Sequence, residues 1–321
     1  MFLEMLIDSI RFSALYMFGS AGETITEKSG HLNLGTPGVM CIGAMGAAVG
    51  GATAVSMCGG PTQVNGFLAI LMPLFFCLFF AGLAGAFFSF FTVTLHCNQN
   101  VTGLALTTFG MGLYPFVTSF LGIEATTGIS NMTKSYYLHL FPSSFYSANG
   151  FTKLFFSYGW LVYLAIIMAI VIAVIMRRTR VGLFVRTVGE NPASADAAGI
   201  SVDKYRYLAT IIGSAISGLG GLFYLFDSSS GVSEAGFEAF GWMAVSLVIF
   251  TMWNTEIGIA GSFLFSFLYI APGYADVSGA GKKLINLVPY ATTLVILVLT
   301  SIFKMGRAPA GLGQSYFRED R

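Results

Sequence analysis

The sequence predicts an all-α polytopic membrane protein with about eight to ten transmembrane helices and a short helix in one of its loops. Two observations carry that expectation. First, the 321 residues are 55% hydrophobic and only 10% charged, with a mean hydropathy of +0.76, whereas soluble domains carry roughly 25% charged residues. So few charges cannot solvate a globular surface. Second, apolar runs of spanning length recur along the whole chain, and ~20 such residues cross the ~30 Å hydrocarbon core.

Taken in order, the candidate spans are 2–21, 35–57, 66–93, 101–121, 158–176, 206–226, 238–253, 257–272 and 285–303. The first contains Asp8 and Arg11 and lacks a basic n-region, so it reads as a retained helix rather than a cleaved signal peptide. At i, i+3 those two charges are placed to neutralise one another. The second span is so glycine-rich that broken or re-entrant helix is expected in part of it. The pair 238–253 and 257–272, separated by Asn254, Thr255 and Glu256, reads as a tight helical hairpin. The whole chain, 1–321, is read as one transmembrane domain, with an external loop at about 122–157 and a cytoplasmic loop at about 178–205.

Charge sets the expected sidedness, because loops rich in Lys and Arg stay cytoplasmic. The cluster Arg177, Arg178, Arg180, Arg186, Lys204 and Arg206 and the tail residues Lys304, Arg307, Arg318 and Arg321 are assigned to the inside. Four crossings between them make the two assignments agree. Lys28 joins them, Lys134, Lys153, Lys282 and Lys283 fall outside, and Arg11 lies within a span. The C-terminus is then cytoplasmic, and the stretch 22–34 is an inside loop.

Small residues mark the expected helix contacts: Gly46/Gly50, Ser214/Gly218, Ser217/Gly221 and AGLAGA at 81–86, since close backbone approach drives association in lipid. The Phe-rich run from Phe75 to Phe91 covers more than one helix face and reads as lipid-facing bulk. Cys41, Cys58, Cys77 and Cys97 lie in or beside apolar runs without metal or redox spacing, and read as packing residues. A net charge of +1 gives no basic footprint for nucleic acid.

Two stretches hold most of the polarity. GETITEKSGHLNLGTPGVM, Gly22 to Met40, combines Glu23, Glu27, Lys28, His31 and Asn33 with Gly30, Gly35, Pro37 and Gly38. Polar, glycine-rich backbone at membrane depth is tolerated where it is packed in protein or lines a cavity. It therefore reads as a packing and gating element, with Glu23 and Glu27 placed to pair with Lys28, Arg11 or a neighbouring helix. The second stretch runs from Arg180 to Arg206. Asn191 is a good N-cap, Pro192 suits the first helical position, alanines follow, and Gly199 is placed to close the helix as C′. Two turns are marginal alone in water. Physics leaves open whether they seat in a partner or merely link two spans.

Resemblance decides that point. GENPASADAAGISVDKYR resembles the coupling loop, GxNxxAAxxxGI, of permease subunits from ABC importers of the sugar, nucleoside and branched-chain amino-acid group. Gly189, Asn191, Ala195, Ala198, Gly199 and Ile200 match, with Asp196 interrupting the usual alanine pair. Gly22, Glu23, Glu27, Gly30, Asn33 and Gly35 match the family's G-E-x-x-x-E-x-x-G-x-x-N-x-G. NQNVTGLAL at 98–106 matches NQ-x-V-x-G-x-A-L, and Gly241 to Phe250 is a weaker fourth match. The resemblance spans nearly the whole chain, and within the family it is nearest to nucleoside-type permeases paired with basic-membrane-lipoprotein-type binding proteins. Pro37 stands where the family usually has Glu, which keeps helix entry but removes a polar contact.

The resemblance implies an ATPase-coupling loop containing Arg186, Gly189, Glu190, Asn191, Pro192, Ala195, Asp196, Ala198 and Gly199. It implies a pathway or gating element containing Glu23, Glu27, Asn33, Gly35, Asn98 and Gln99. It further implies a separate ABC ATPase that binds ATP and Mg, a second permease subunit, an extracytoplasmic substrate-binding protein, and residence in a bacterial cytoplasmic membrane. This chain itself is expected to need no catalytic residue, metal or cofactor. SGAGKK, Ser278 to Lys283, lacks the first glycine and the final Ser/Thr of a P-loop and is a decoy. The expected cargo is a nucleoside, with riboflavin or a sugar as alternatives. An ATP-independent secondary transporter has only Asp8 and Arg11 as intramembrane ionisable groups to work with. A membrane enzyme lacks a catalytic set, His31, His96 and His139 being scattered, and a channel has no use for a capped docking helix.

Overall fold

The computed structural model describes residues 1–60, 64–123, 132–146, 149–228, 237–274, 281, 284–285, 287–303 and 308–317. Among them the chain is helical and forms no strand: α1 (Phe2–Lys28), α2 (Thr36–Met57), α3 (Gly66–Ser89), α4 (Gln99–Phe120), α5 (Ser143–Tyr146), α6 (Gly150–Phe156), α7 (Trp160–Arg178), α8 (Arg180–Glu190), α9 (Pro192–Ala197), α10 (Val202–Phe223), α11 (Phe237–Phe250), α12 (Thr255–Tyr274) and α13 (Val288–Phe303). Single π-turns extend α3 to Thr94 and α10 to Ser228. Each expected span is a helix. Among the described residues, six helical stretches are long and apolar enough to cross a bilayer: 36–57, 66–94, 99–120, 160–178, 202–227 and 255–274. The protein is a polytopic all-α membrane protein.

The centre of the bundle is built from its most glycine-rich helices rather than its most apolar ones. In α2 and α10, 78% and 72% of the spanning window is buried, against 28% in α3. Lipid is as apolar as leucine, so the inner helices are those whose small residues let backbones touch. A Cβ on Gly46 or Gly50 would stand 2.5 Å from the carbonyl oxygens of Phe76 and Met72 on α3. On α10, Ser214 faces Gly85, Gly218 abuts Gly43, and Gly221 lies against Met40. The expected small-residue seams are therefore real helix contacts. Phe75, Phe79, Phe87 and Phe90 of the Phe-rich run are exposed and face lipid, while Phe88 turns inward.

Two expectations need correction. Helix α1 does not stop at Ala21 but continues to Lys28, so Glu23, Glu27 and Lys28 are helical and not part of a loop. Gly22 does not break it: a Cβ there would lie 2.3 Å from Gly213 O, and the glycine serves to bring α10 close. Helix α2 is likewise unbroken from Thr36 to Met57, with Pro37 in its first turn. In lipid the internal hydrogen bonds of a helix outweigh glycine's preference for freedom. The region 122–157 contains helical turns at 133–137, α5 and α6 among its described residues. Lys282, Lys283, Lys304, Arg307, Arg318, Arg321 and most of Ser278–Lys283 lie outside the described residues.

The 238–253/257–272 pair is the expected hairpin, as α11 and α12. Its connection carries Met252 and Trp253 at φ of 53° and 57°, a conformation that costs non-glycine residues energy.

Candidate functional site

The last turns of α1 and the linker to α2 form a sealed polar knot. Glu23, Glu27, His31 and Asn33 are at most 1% exposed. Gly30 turns the chain at φ +90°, and a Cβ there would stand 3.2 Å from Arg206 Nη2. Asn33 Oδ1 accepts from Gly35 N at 2.9 Å, and Thr36 Oγ1 donates to Glu23 Oε2. The Trp253 indole donates to Glu27 Oε2. The two glutamates thus bond to Thr36 and Trp253, and not to Lys28 or Arg11. Glu23 Oε1, Glu27 Oε1, His31 Nε2, Arg206 Nε and Arg206 Nη2 are buried without hydrogen-bond partners. Such orphans are costly and mark functional ground in a membrane.

His31 sits between helices, with Nδ1 2.9 Å from Thr210 Oγ1. Burial, and then the nearby Arg206 charge, push its pKa down to about 3. It is neutral at physiological pH.

Helix α4 grips the same linker. Asn98 caps α4 by accepting from Val101 N at 3.1 Å, and Gln99 Oε1 accepts from Leu32 N at 2.8 Å. Thr107 donates to Leu34 O at 2.8 Å. Gly35 and Gly103 let the two elements touch, since a Cβ on Gly103 would lie 2.8 Å from Leu34 N. Glu23, Glu27, Asn33, Gly35 and Gln99 are thus gathered in one place, while Asn98 serves the start of α4.

The loop 178–205 is more ordered than its sequence foretells. An amphipathic helix, α8, precedes the short one, with Val181 and Leu183 exposed. Helix α9 is built as expected. Asn191 Oδ1 accepts from Ser194 N at 2.9 Å, and Pro192 opens the helix. Gly199 takes φ +80°, with Ile200 N donating to Ala195 O and Gly199 N to Asp196 O, both at 2.9 Å. That pair of bonds is a Schellman closure. Ala195 packs in a small core with Val188 and Val202, while Ala197, Ala198 and Gly199 stay exposed. Arg186 Nε donates to Gly182 O on its own helix at 3.3 Å. Gly189 rests on the end of α1, where a Cβ would be 2.2 Å from Lys28 O.

Residues 308–317, which sequence reading passed over as a charged tail, strap these pieces together. Gly311 N donates to Gly189 O at 2.8 Å and Gly313 N to Gly30 O at 3.1 Å. Ala310 N donates to Glu190 Oε2 at 3.3 Å, and the Tyr316 hydroxyl to Asp196 Oδ2 at 3.0 Å. Gln99 Nε2 donates to Gln314 O at 3.5 Å, and Phe317 packs on His96 with ring centres 4.4 Å apart. The available signal was the run Pro309, Gly311, Gly313, Tyr316 and Phe317, small and aromatic between charges.

The opposite end holds a second buried charge. Arg11 Nε pairs with Asp227 Oδ1 at 2.5 Å, Asp227 being fully buried, and Asp8 accepts from the Tyr274 hydroxyl. Asp8 and Arg11 therefore do not neutralise each other. Asp227 was missed because the apolar run was closed one residue short of it.

The model for the family described as branched-chain amino acid transport system / permease component matches residues 5–301. A Haloferax volcanii protein named as a glucose ABC transporter permease is 30% identical, covering 97% of this chain and 96% of its own length. The nucleoside ABC transporter permease protein NupC of Lactococcus lactis is 28% identical over 96% and 94% of the two chains. The guanosine ABC transporter permease protein NupQ of Bacillus subtilis is 26% identical over 97% and 95%. With two unbroken inner helices, a polar knot at the end of α1 and a capped helix strapped to it, the chain belongs to this family of transport-system permease components.

Proposed function

We propose that the chain, acting as one domain over 1–321, is the membrane-spanning permease subunit of an ATP-driven importer for a small polar solute. A nucleoside is the first choice, and a sugar or riboflavin the alternative. The relatives named for nucleoside, guanosine and glucose transport support that range. Its partners are a separate ABC ATPase that binds ATP and Mg, a second permease subunit, and an extracytoplasmic binding protein. The second subunit has support in the similarity to a further Lactococcus lactis protein, the nucleoside permease NupB, 33% identical over 143 residues. The setting is a bacterial cytoplasmic membrane, with the α9 face and the C-terminus on the cytoplasmic side.

One observation carries the coupling assignment: the strap 308–317 bonds both to the α8–α9 loop at Gly189, Glu190 and Asp196 and to the α1–α2 and α4 elements at Gly30 and Gln99. A displacement of α9 by the ATPase therefore reaches the polar knot through stiff hydrogen-bonded backbone. In this reading Ala198 and Gly199 meet the ATPase, and Glu23, Glu27, Asn33 and Gly35 gate the path.

The test is Gly199→Pro. Proline loses the N–H that Gly199 gives to Asp196, and it cannot adopt the positive φ. The variant is expected to insert normally yet lose solute-stimulated ATP hydrolysis or co-purification of the ATPase. Asn191→Ala, losing one N-cap bond at about 1 kcal/mol, is expected to be intermediate. Normal coupling in an inserted Gly199→Pro protein rejects α9 as the coupling helix. Competition of labelled nucleoside uptake by nucleosides, glucose and riboflavin then assigns the cargo.

A further inference from the structure

On the α9 side of the bundle, a cavity of about 490 Å³ opens between the end of α7, the start of α12 and the end of α1. Lys28, Arg177 and Arg186 line it, together with Trp253, Asn254 and Thr255. Its one carboxylate, Glu256, is bonded to Arg177 Nη1 at 2.9 and 3.1 Å. Glu190 on α8 accepts from Ala310 N and attracts Lys28 through space without bonding to it. The Lys28 ammonium forms no salt bridge among the described residues, and three cations against Glu256 and Glu190 leave the cavity region with net positive charge.

Two further features point to an anion. The N-terminus of α12, a helix of 20 residues, ends in the cavity wall, and the positive end of the helix dipole favours negative charge there. Thr255, 6% exposed, has a buried Oγ1 with no partner. A buried, unpartnered hydroxyl in the wall of a cavity shared with Lys28 and Arg186, neither of them salt-bridged among the described residues, supplies donors that suit a phosphate oxygen.

The surroundings say what carries the phosphate. Ile170, Val171, Val174 and Ile175 are exposed on the last turns of α7 leading to Arg177, an apolar track of acyl-chain character beside the cavity. Trp253 sits at the rim with its indole N–H held by Glu27, the placement tryptophan takes at a bilayer interface. A basic pocket between helices at the membrane boundary suits an anionic headgroup. We propose that this cavity binds one anionic phospholipid from the α9-side leaflet, its phosphate held by Lys28, Arg186 and Thr255 and its acyl chains lying along α7. Because Trp253 also bonds Glu27, the bound lipid braces the polar knot from outside.

Native mass spectrometry of the delipidated full-length protein, titrated with phosphatidylglycerol or phosphatidylcholine, tests this directly. One phosphatidylglycerol is expected to be retained with about tenfold preference. The preference is expected to vanish in Lys28→Gln/Arg186→Gln and to persist in Lys28→Arg. Thr255→Val, which conserves volume, is expected to weaken retention severalfold even if the double variant fails to fold. Equal retention of both lipids by the wild type overturns the proposal, as does undiminished preference in folded double and Thr255→Val variants. If millimolar inorganic phosphate alone empties the site of lipid, the ligand is a free anion and the lipid assignment falls. If the purified partner ATPase displaces the lipid, the cavity is a protein-docking surface and the proposal likewise fails.

Discussion

His31 shows how far one residue's chemistry is set by its surroundings. In an exposed loop it would titrate near its ordinary 6.5, but burial hands the advantage to the neutral ring, with a pKa of about 3. The sign follows from linkage. The unfolded chain takes up a proton near 6.5 and the folded chain does not, so stability falls as pH drops below 6.5 and continues to fall toward 3. By about pH 5 the loss is roughly 2 kcal/mol. The thermal midpoint of the wild type in detergent is expected to drop more between neutral and mildly acid pH than that of His31→Asn, which carries no titrating ring. Identical profiles would mean that His31 is solvated. The same scale explains the misjudged charges. Sequence spacing put Arg11 beside Asp8, but a buried carboxylate needs a partner more urgently than a half-buried one, and Asp227 takes the guanidinium.

At the scale of the element, the short helix α9 was legible residue by residue because its determinants are local. The cap, the proline and the positive-φ glycine all act within two or three positions of themselves. The strap 308–317 was not legible, because its donors and acceptors belong to Gly30, Gln99, Gly189 and Glu190, scattered across the sequence. If it carries motion between α9 and the polar knot, removing residues 308–321 is expected to leave the protein inserted while lowering the ratio of transport to ATP hydrolysis severalfold. Tyr316→Phe, which gives up only the bond to Asp196, is expected to cost about 1 kcal/mol of that contact and to act mildly. Unchanged coupling after removal of the strap would leave it a passive cover, measurable as ATP turned over per solute moved in vesicles.

At the scale of the whole molecule, the nine spans expected from sequence and the dense basic loop predict a sidedness that labelling can check. A cysteine at Ala193, in α9, is expected to react only from the cytoplasmic side, and one at Ser143, in α5, only from outside. Reaction of both from one side would invert the map. The helix order, the lipid-facing phenylalanines and the small-residue seams all followed from the sequence alone. Bilayer thickness fixes span length, and close approach in lipid requires small side chains, so both leave a one-dimensional trace. What only the tertiary structure decided was the fate of the polar residues. Glu23, Glu27, Arg206 and Asp227 are buried ionisable groups whose placement depends on which helix lies alongside. Helix packing brings Thr36 to Glu23, Trp253 to Glu27 and Arg11 to Asp227 across 13 to 226 positions of chain. No local pattern encodes a partner that distant, because the energy that selects it comes from burial once the helices have met.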